Sequence, residues 1–402
     1  MRVSGMKYWI PIACLASTIG CMGSGEAVFK LNEPTNQLMD LGKEAVATAL
    51  TEDFGTPHRL VAWQKMPVNY GEAAATVDGL DAAVTKEPGW NLKHGRNLYM
   101  KHCLHCHGVS GDGAGPTSVY LEPRPRDYRQ GVFKFTSTIS GIKASRADLH
   151  RTLDEGIPGT SMPSFKLLKK HELVAIVEYV RWLAMRGEYE KLLAAELAND
   201  FSQKAYDDRK AGGEKGDDIK KELKELVKGP KEGEAPFNTT RGEVADRLAE
   251  MWNAAEEESN LVTPAVPRTP SNPESIARGR ALYASAKAKC TDCHGLGGKG
   301  DGPQTITYQP KPGGTRKYET RGLYNDWKEE LKPRNLTLGQ YRGGRRPVDL
   351  YRRIYAGIKG TPMPGASSSL KPEEIWDIVN YVLDVPYQKQ TPETKVLQAE
   401  AH

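Results

Sequence analysis

With 402 residues the chain has room for two or three domains. A formal net charge of +5 is too small to imply nucleic-acid binding. Six cysteines are present, four in two close pairs and the other two, Cys14 and Cys21, near the N-terminus, so a chain processed after Cys21's segment keeps no cysteine for structural disulfides.

Arg2 and Lys7 precede an apolar stretch from Tyr8 to Ile19 that is shorter than a membrane span. The pattern predicts a signal peptide over residues 1–21, and with it a periplasmic or other extracytoplasmic location. Thr18-Ile19-Gly20-Cys21, followed by Met-Gly-Ser-Gly, is similar to a bacterial lipoprotein box with Thr where Leu is usual. A lipid on Cys21 would hold the protein at a membrane surface without a spanning helix; ordinary cleavage just downstream is the other reading. Residues 22–88 combine an amphipathic stretch through Leu38, Leu41, Ala45 and Ala49 with a looser tract, and their role is unassigned beyond packing on the next domain or meeting a partner.

The first chemically specific element is Cys103-Leu-His-Cys106-His107. Cys-x-x-Cys-His is the attachment signature of c-type heme. Two thiols three positions apart on one helical turn reach the two vinyl groups of a porphyrin, and the adjacent imidazole swings beneath the ring to hold the iron. A bare Cys-x-x-Cys would serve equally for half a zinc site or a redox disulfide.

Residues 188–272 differ in kind. From Glu188 to Asn260 there are 12 Lys and Arg against 19 Asp and Glu, dominated by good helix formers, and Leu261 to Pro273 reads as an extended Pro/Thr linker. Ser271 to Gln388 reverses the balance, with 19 basic residues against 12 acidic. The expectation is an acidic helical insertion that either docks on a basic face of the next domain or stands exposed as a spacer.

A second motif, Cys290-Thr-Asp-Cys293-His294, follows, and it offers only three of the four ligands a zinc site needs. Its surroundings copy those of the first. Gly95-Arg96-x-Leu98-Tyr99 matches Gly279-Arg280-x-Leu282-Tyr283 before the motif. Pro116 and Pro303 follow their histidines at the same offset, and Pro125-Arg126-Asp127 matches Pro333-Arg334-Asn335. Thr160-Ser161-Met162-Pro163 runs in step with Thr361-Pro362-Met363-Pro364, and both copies close on an amphipathic run, Glu172 to Leu183 and Glu374 to Leu383. The chain is a tandem duplication, with 14 extra residues in the second copy around Thr307 to Glu330. Between Ser271 and Gln388 the only other strong iron ligand is Met363. In the first copy Met100, Met162, Met185, His94, His102, His105, His150 and His171 all compete, and the repeat selects Met162.

These motifs resemble two class I cytochrome c domains, of the kind found in diheme cytochromes and in the diheme subunit of cbb-type oxidases. The resemblance implies an all-α fold with two heme c groups: domain 1 at residues 89–187, the charged helical insertion at 188–272, domain 2 at 273–388 and a tail at 389–402. It implies that the carbonyls of Pro116 and Pro303 accept the second imidazole N–H of His107 and His294, and that Tyr99 and Tyr283 sit where the terminal helices cross. Arg126 and Arg334 become candidate partners for heme propionates, with a solvated loop arginine as the bland alternative. Iron held by His107 with Met162, and by His294 with Met363, has no open position. The implied function is therefore one-electron transfer in a respiratory chain, between a membrane donor such as a quinol-oxidising complex and a terminal oxidase or periplasmic enzyme. The competing reading is a diheme oxidoreductase, a cytochrome c peroxidase or a thiosulfate-oxidising enzyme, in which one iron must free a position. A heme-bearing sensor or assembly subunit is a third.

Overall fold

The computed structural model describes residues 27–71, 90–229 and 234–388. The expected signal peptide, Cys21 and the tail 389–402 lie outside the described residues. The helices among them are α1 (Glu33–Asn36), α2 (Asp40–Phe54), α3 (Trp90–His102), α4 (Leu104–His107), α5 (Arg146–Glu155), α6 (Lys170–Phe201), α7 (Gln203–Ala211), α8 (Gly216–Lys228), α9 (Pro236–Asn253), α10 (Pro273–Tyr283), α11 (Thr291–His294), α12 (Pro347–Ala356) and α13 (Pro372–Asp384). One short antiparallel pair, β1 (Leu323–Tyr324) with β2 (Glu330–Leu331), is the only sheet among the described residues. The fold is all-α, as the resemblance implies.

The duplication is visible as two equivalent crossings, α3 over α6 and α10 over α13. Each depends on a glycine. A Cβ built on Gly95 would sit 2.0 Å from the carbonyl oxygen of Ala175, and one on Gly279 would sit 2.0 Å from that of Asp377. Only a residue without a side chain lets the backbones approach so closely. Beside the crossings, where the resemblance places them, Tyr99 meets Tyr179 edge-on at 5.1 Å between centroids and Tyr283 meets Tyr381 at 5.2 Å. The start of each second helix is fixed alike: Glu172 accepts the backbone N–H of Lys169, and Glu374 that of Lys371, both at 2.7 Å.

The insertion behaves differently from the expectation. α6 runs for 32 residues, past residue 187 to Phe201. The acidic helices do not dock on the basic second copy. α9 packs on α6 through Phe237, Val244, Ala245, Leu248 and Trp252, all buried in the same core as the first crossing, and α8 packs on α9 and α2. The basic partners are also in the first copy: Glu256 accepts from Arg146 at 3.1 Å and Arg181 at 2.9 Å. Buried apolar area decides the docking, since exposed charge pairs contribute little by comparison. The N-terminal segment joins this core. Phe54 of α2 lies 5.5 Å from Trp182 and 5.7 Å from Tyr189, with Trp63 completing the cluster.

The two copies face one another across a defined seam. Arg151 of α5 donates to Asp349 of α12 at 2.6 Å, and the Lys359 ammonium donates to Thr138 Oγ1 and to the carbonyl of Ile142. The linker pairs with the first copy, where Val262 N–H donates to Ser137 at 2.7 Å and Ile139 N–H donates to Asn260 at 2.9 Å. It then ties to the second copy through Trp376, whose indole N–H donates to Val266.

Candidate heme site

Each Cys-x-x-Cys-His motif forms a single helical turn, α4 or α11, closed by the N–H of His107 on Cys103 and of His294 on Cys290, both at 2.9 Å. A tyrosine from the preceding helix anchors the turn: Tyr99 donates to the carbonyl of Gly108 at 2.8 Å and Tyr283 to that of Gly295 at 2.9 Å. The four cysteines are unpaired thiols. Burial pushes Cys103 up to about 12 and Cys290 up to about 11, and raises Cys293, so these sulfurs are neutral at ordinary pH.

Burial also lowers His107, to about 4, and lowers His294, so both imidazoles are neutral. The Nδ1 of His107 lies 3.3 Å from the carbonyl of Arg126, and the Nδ1 of His294 lies 3.1 Å from that of Arg334. A carbonyl only accepts, so the proton sits on Nδ1 and the Nε2 lone pair is left free for a metal. This corrects the expectation for Pro116 and Pro303. Both prolines are exposed and neither lines the cavity described below. The acceptor comes instead from the residue after Pro125 or Pro333, where the loop returns under the imidazole; Leu336 N–H donates to Gly298 and Tyr128 N–H to Gly111, both at 2.7 Å, to hold that return in place.

The methionine loops are also duplicates. Ile157 N–H donates to the carbonyl of Met162 and Ile358 N–H to that of Met363, both at 3.1 Å, while Thr160 and Thr361 accept the methionine N–H groups through Oγ1. Gly156 and Gly357, at φ of 66° and 77°, let each loop fold back on the end of α5 or α12, where any Cβ would strike the methionine carbonyl at 2.8 or 2.7 Å.

What the repeat alone does not convey is that both sets of donors open into one cavity. It has a volume of about 810 Å³ and is lined from the first copy by Cys103, Cys106, His107 and Met162, and from the second by Cys290, Cys293, His294 and Met363. Its remaining wall is largely apolar, with Leu149, Ile176, Val180, Leu350, Ile378 and Val382 contributing.

Cationic side chains gather at the same wall. Burial lowers Arg126 to about 10 and Lys134 to about 8, with Arg126 and Arg342 further depressing the lysine; Arg342 Nε is buried without a hydrogen-bond partner. The Arg126 guanidinium stacks 3.5 Å from the ring of Trp327, which the extra loop of the second copy carries across the seam. Arg334 is held at its own Gln340, donating to the backbone carbonyl at 2.6 Å and to the side chain. Sequence reasoning missed Lys134 and Arg342, because only the seam brings them to this wall. It also missed Tyr128, whose ring stacks on His107 at 4.7 Å and 21°.

A porphyrin fits these residues. Paired free thiols, a neutral imidazole with its outer nitrogen free, thioethers on the same cavity, an apolar wall and half-buried cations suited to carboxylates are what a covalently attached heme requires. The fold and this donor set define a heme-based electron-transfer protein with two cofactor sites. The chain matches the sequence model of cytochrome c over residues 92–184 and 276–386 and belongs to the cytochrome c family, with two tandem domains and two heme c cofactors. No curated protein matches it. Among solved structures, a chain of the Kuenenia stuttgartiensis reducing HAO-like protein complex aligns at 24% identity, covering 73% of this chain and 96% of that one, with a TM-score of 0.47. Cytochrome c domains are typically extracytoplasmic, and among the described residues no helix is long and apolar enough to cross a membrane.

Proposed function

We propose that the protein is an electron conduit, not an enzyme, with His107 and Met162 holding one iron, His294 and Met363 the other, and the four motif cysteines forming the thioether links. Heme c supplies a one-electron ferrous/ferric couple when bound. The carbonyls of Arg126 and Arg334 orient the imidazoles and increase their basicity as ligands. Arg126, Lys134 and Arg342, on the cavity wall, are placed to pair with the propionates. The single cavity reached by both motifs carries the reading, since the attachment residues of both copies open into the same space. The identical closure of the two methionine loops supports saturated coordination at both irons and speaks against a peroxidase or thiosulfate-oxidising site, which needs an open position.

In this reading the protein is exported, held at the membrane surface by a lipid on Cys21, and passes electrons in a respiratory chain from a membrane donor such as a quinol-oxidising complex to a terminal oxidase or periplasmic enzyme. Partner docking near the first crevice is supported by exposed apolar side chains beside its lining: Tyr120, 85% exposed, adjoins Leu121, and Leu167, fully exposed, lies two residues beyond Phe165. The test replaces Met162 and Met363 singly by Ala in the heme-loaded protein. Each change is expected to abolish the thioether-to-iron absorption of one heme and lower its midpoint potential, leaving the other unchanged. A spectrum and potential that do not move in either variant rule the ligation out.

A further inference from the structure

Away from the cavity, at the outer side of the first helix crossing, three metal-ligating side chains converge: His94 of α3 and His171 and Glu172 of α6 each offer a donor atom, and these atoms all lie within 4.8 Å of one another. The imidazoles stack at 6.1 Å between centroids and 26°. His94 Nε2 is buried and makes no hydrogen bond, and Trp90 flanks the same ring at 5.9 Å. None of the three lines the heme cavity. A buried nitrogen without a partner is costly, and the groups beside it here, a second imidazole and a carboxylate, are themselves metal-ligating.

The fold does not explain this cluster. The carboxylate is shared with the second copy, where Glu374 plays the same role at the helix start, but the histidines are not. At the matching positions stand Arg278 and Glu373, and Arg278 is consumed by a two-pronged pair with Asp377 at 2.7 and 3.0 Å. An equivalent crossing therefore closes without a single imidazole.

We propose that His94, His171 and Glu172 form a binding site for one divalent transition-metal ion of the zinc class, which fastens α3 to α6 at the crossing that carries the first heme motif. Two imidazoles and a carboxylate are a donor set suited to zinc and its neighbours, and leave a fourth position for water. Bonds of about 2.0–2.1 Å place tetrahedral donors roughly 3.4 Å apart, so the observed spread closes with modest side-chain rotation. One oxygen of Glu172 remains with Lys169 N–H while the carboxylate faces the histidines, so the helix start and the ion can be held together.

The experiment uses the heme-loaded protein, freed of other metals by chelator and titrated with zinc alone by calorimetry, with bound zinc counted by mass spectrometry after desalting. One zinc per chain is expected, with affinity falling at least tenfold in His94→Gln and in His171→Gln while the heme spectrum stays that of the parent, which shows that both variants fold. Hydrogen exchange should slow across α3 and the start of α6 when zinc is added to the parent and remain unchanged in the variants. Failure of the parent to retain zinc overturns the assignment. So does zinc binding that survives when both substitutions are combined, which would place the ion elsewhere on the chain.

Discussion

Replacing Gly279 by Ala tests the geometry on which both domains rest. The new methyl would lie 2.0 Å from the carbonyl oxygen of Asp377, 2.6 Å from its carbon and 2.9 Å from Tyr381 Cβ. Ordinary contact begins at 3.4 Å, so α10 and α13 must separate by more than an ångström, and the obstacle is backbone that cannot rotate aside. The separation also loosens Tyr283 from Tyr381 and strains the Tyr283 anchor on Gly295. Overpacking of this kind costs about 1–3 kcal/mol or more, and the better helix propensity of Ala returns at most about 1 kcal/mol. A net loss of about 2 kcal/mol is expected, roughly a thirtyfold change in the unfolding equilibrium. Gly242 supplies the control within the same chain. It also lies in a helix, α9, but its Cβ would meet only Lys65 Nζ at 4.0 Å, so Gly242→Ala should stabilise by about 0.5–1 kcal/mol. Guanidinium unfolding of the heme-loaded protein, followed by far-ultraviolet circular dichroism and by the heme absorption band, separates the two. A Gly279→Ala variant as stable as the parent refutes the crossing as drawn.

Replacing Cys290 and Cys293 together by Ser should leave one covalent heme per chain, read as the loss of one heme mass in intact-protein mass spectrometry; two retained hemes would contradict attachment at this motif. Asp349, with its side chain 1% exposed, accepts from Arg151 across the seam and from the more exposed Arg346 beside it, so Asp349→Ala strands chiefly Arg151 and should cost about 3 kcal/mol in denaturant unfolding. Burial lowers Lys359 from 10.5 to about 8. Between those values the unfolded chain holds a proton that the folded chain lacks, so stability rises with pH across the window, by up to about 3 kcal/mol. Lys359→Met should flatten that rise, and an unaltered slope between pH 8 and 10.5 would show that another group is responsible.

The legible parts of this protein are those written twice. The motif, the crossing glycine, the tyrosine four residues after it and the methionine loop each recur with the same neighbours, and each recurs in three dimensions with the same hydrogen bonds. Pro116 and Pro303 misled because the group that meets the imidazole is a backbone carbonyl, which every residue possesses and no side-chain pattern marks. In the insertion, Phe237, Val244, Leu248 and Trp252 do share one helical face, but they are scattered through a charge-rich segment whose sign suggested a different partner. The common cavity depends on Lys359, Arg151 and Trp327 closing a seam between residues far apart in the chain, and local periodicity carries no such information.

Duplication makes the donors alike, so any difference between the two irons must come from their surroundings. The first crevice is the more enclosed: Cys103 and His107 are buried, while Cys290 and His294 retain partial exposure. Tyr128 covers the His107 ring where the second copy has Leu336, and the Arg126–Trp327 stack closes the neighbouring wall. On the proposed ligation, burial penalises the more positively charged ferric state, and it does so more strongly at the first site. An imbalance of this origin sets a direction for electrons within the chain without changing a single ligand. It also gives the extra loop of the second copy a physical task, since Trp327 is the side chain by which one domain alters the environment of the other.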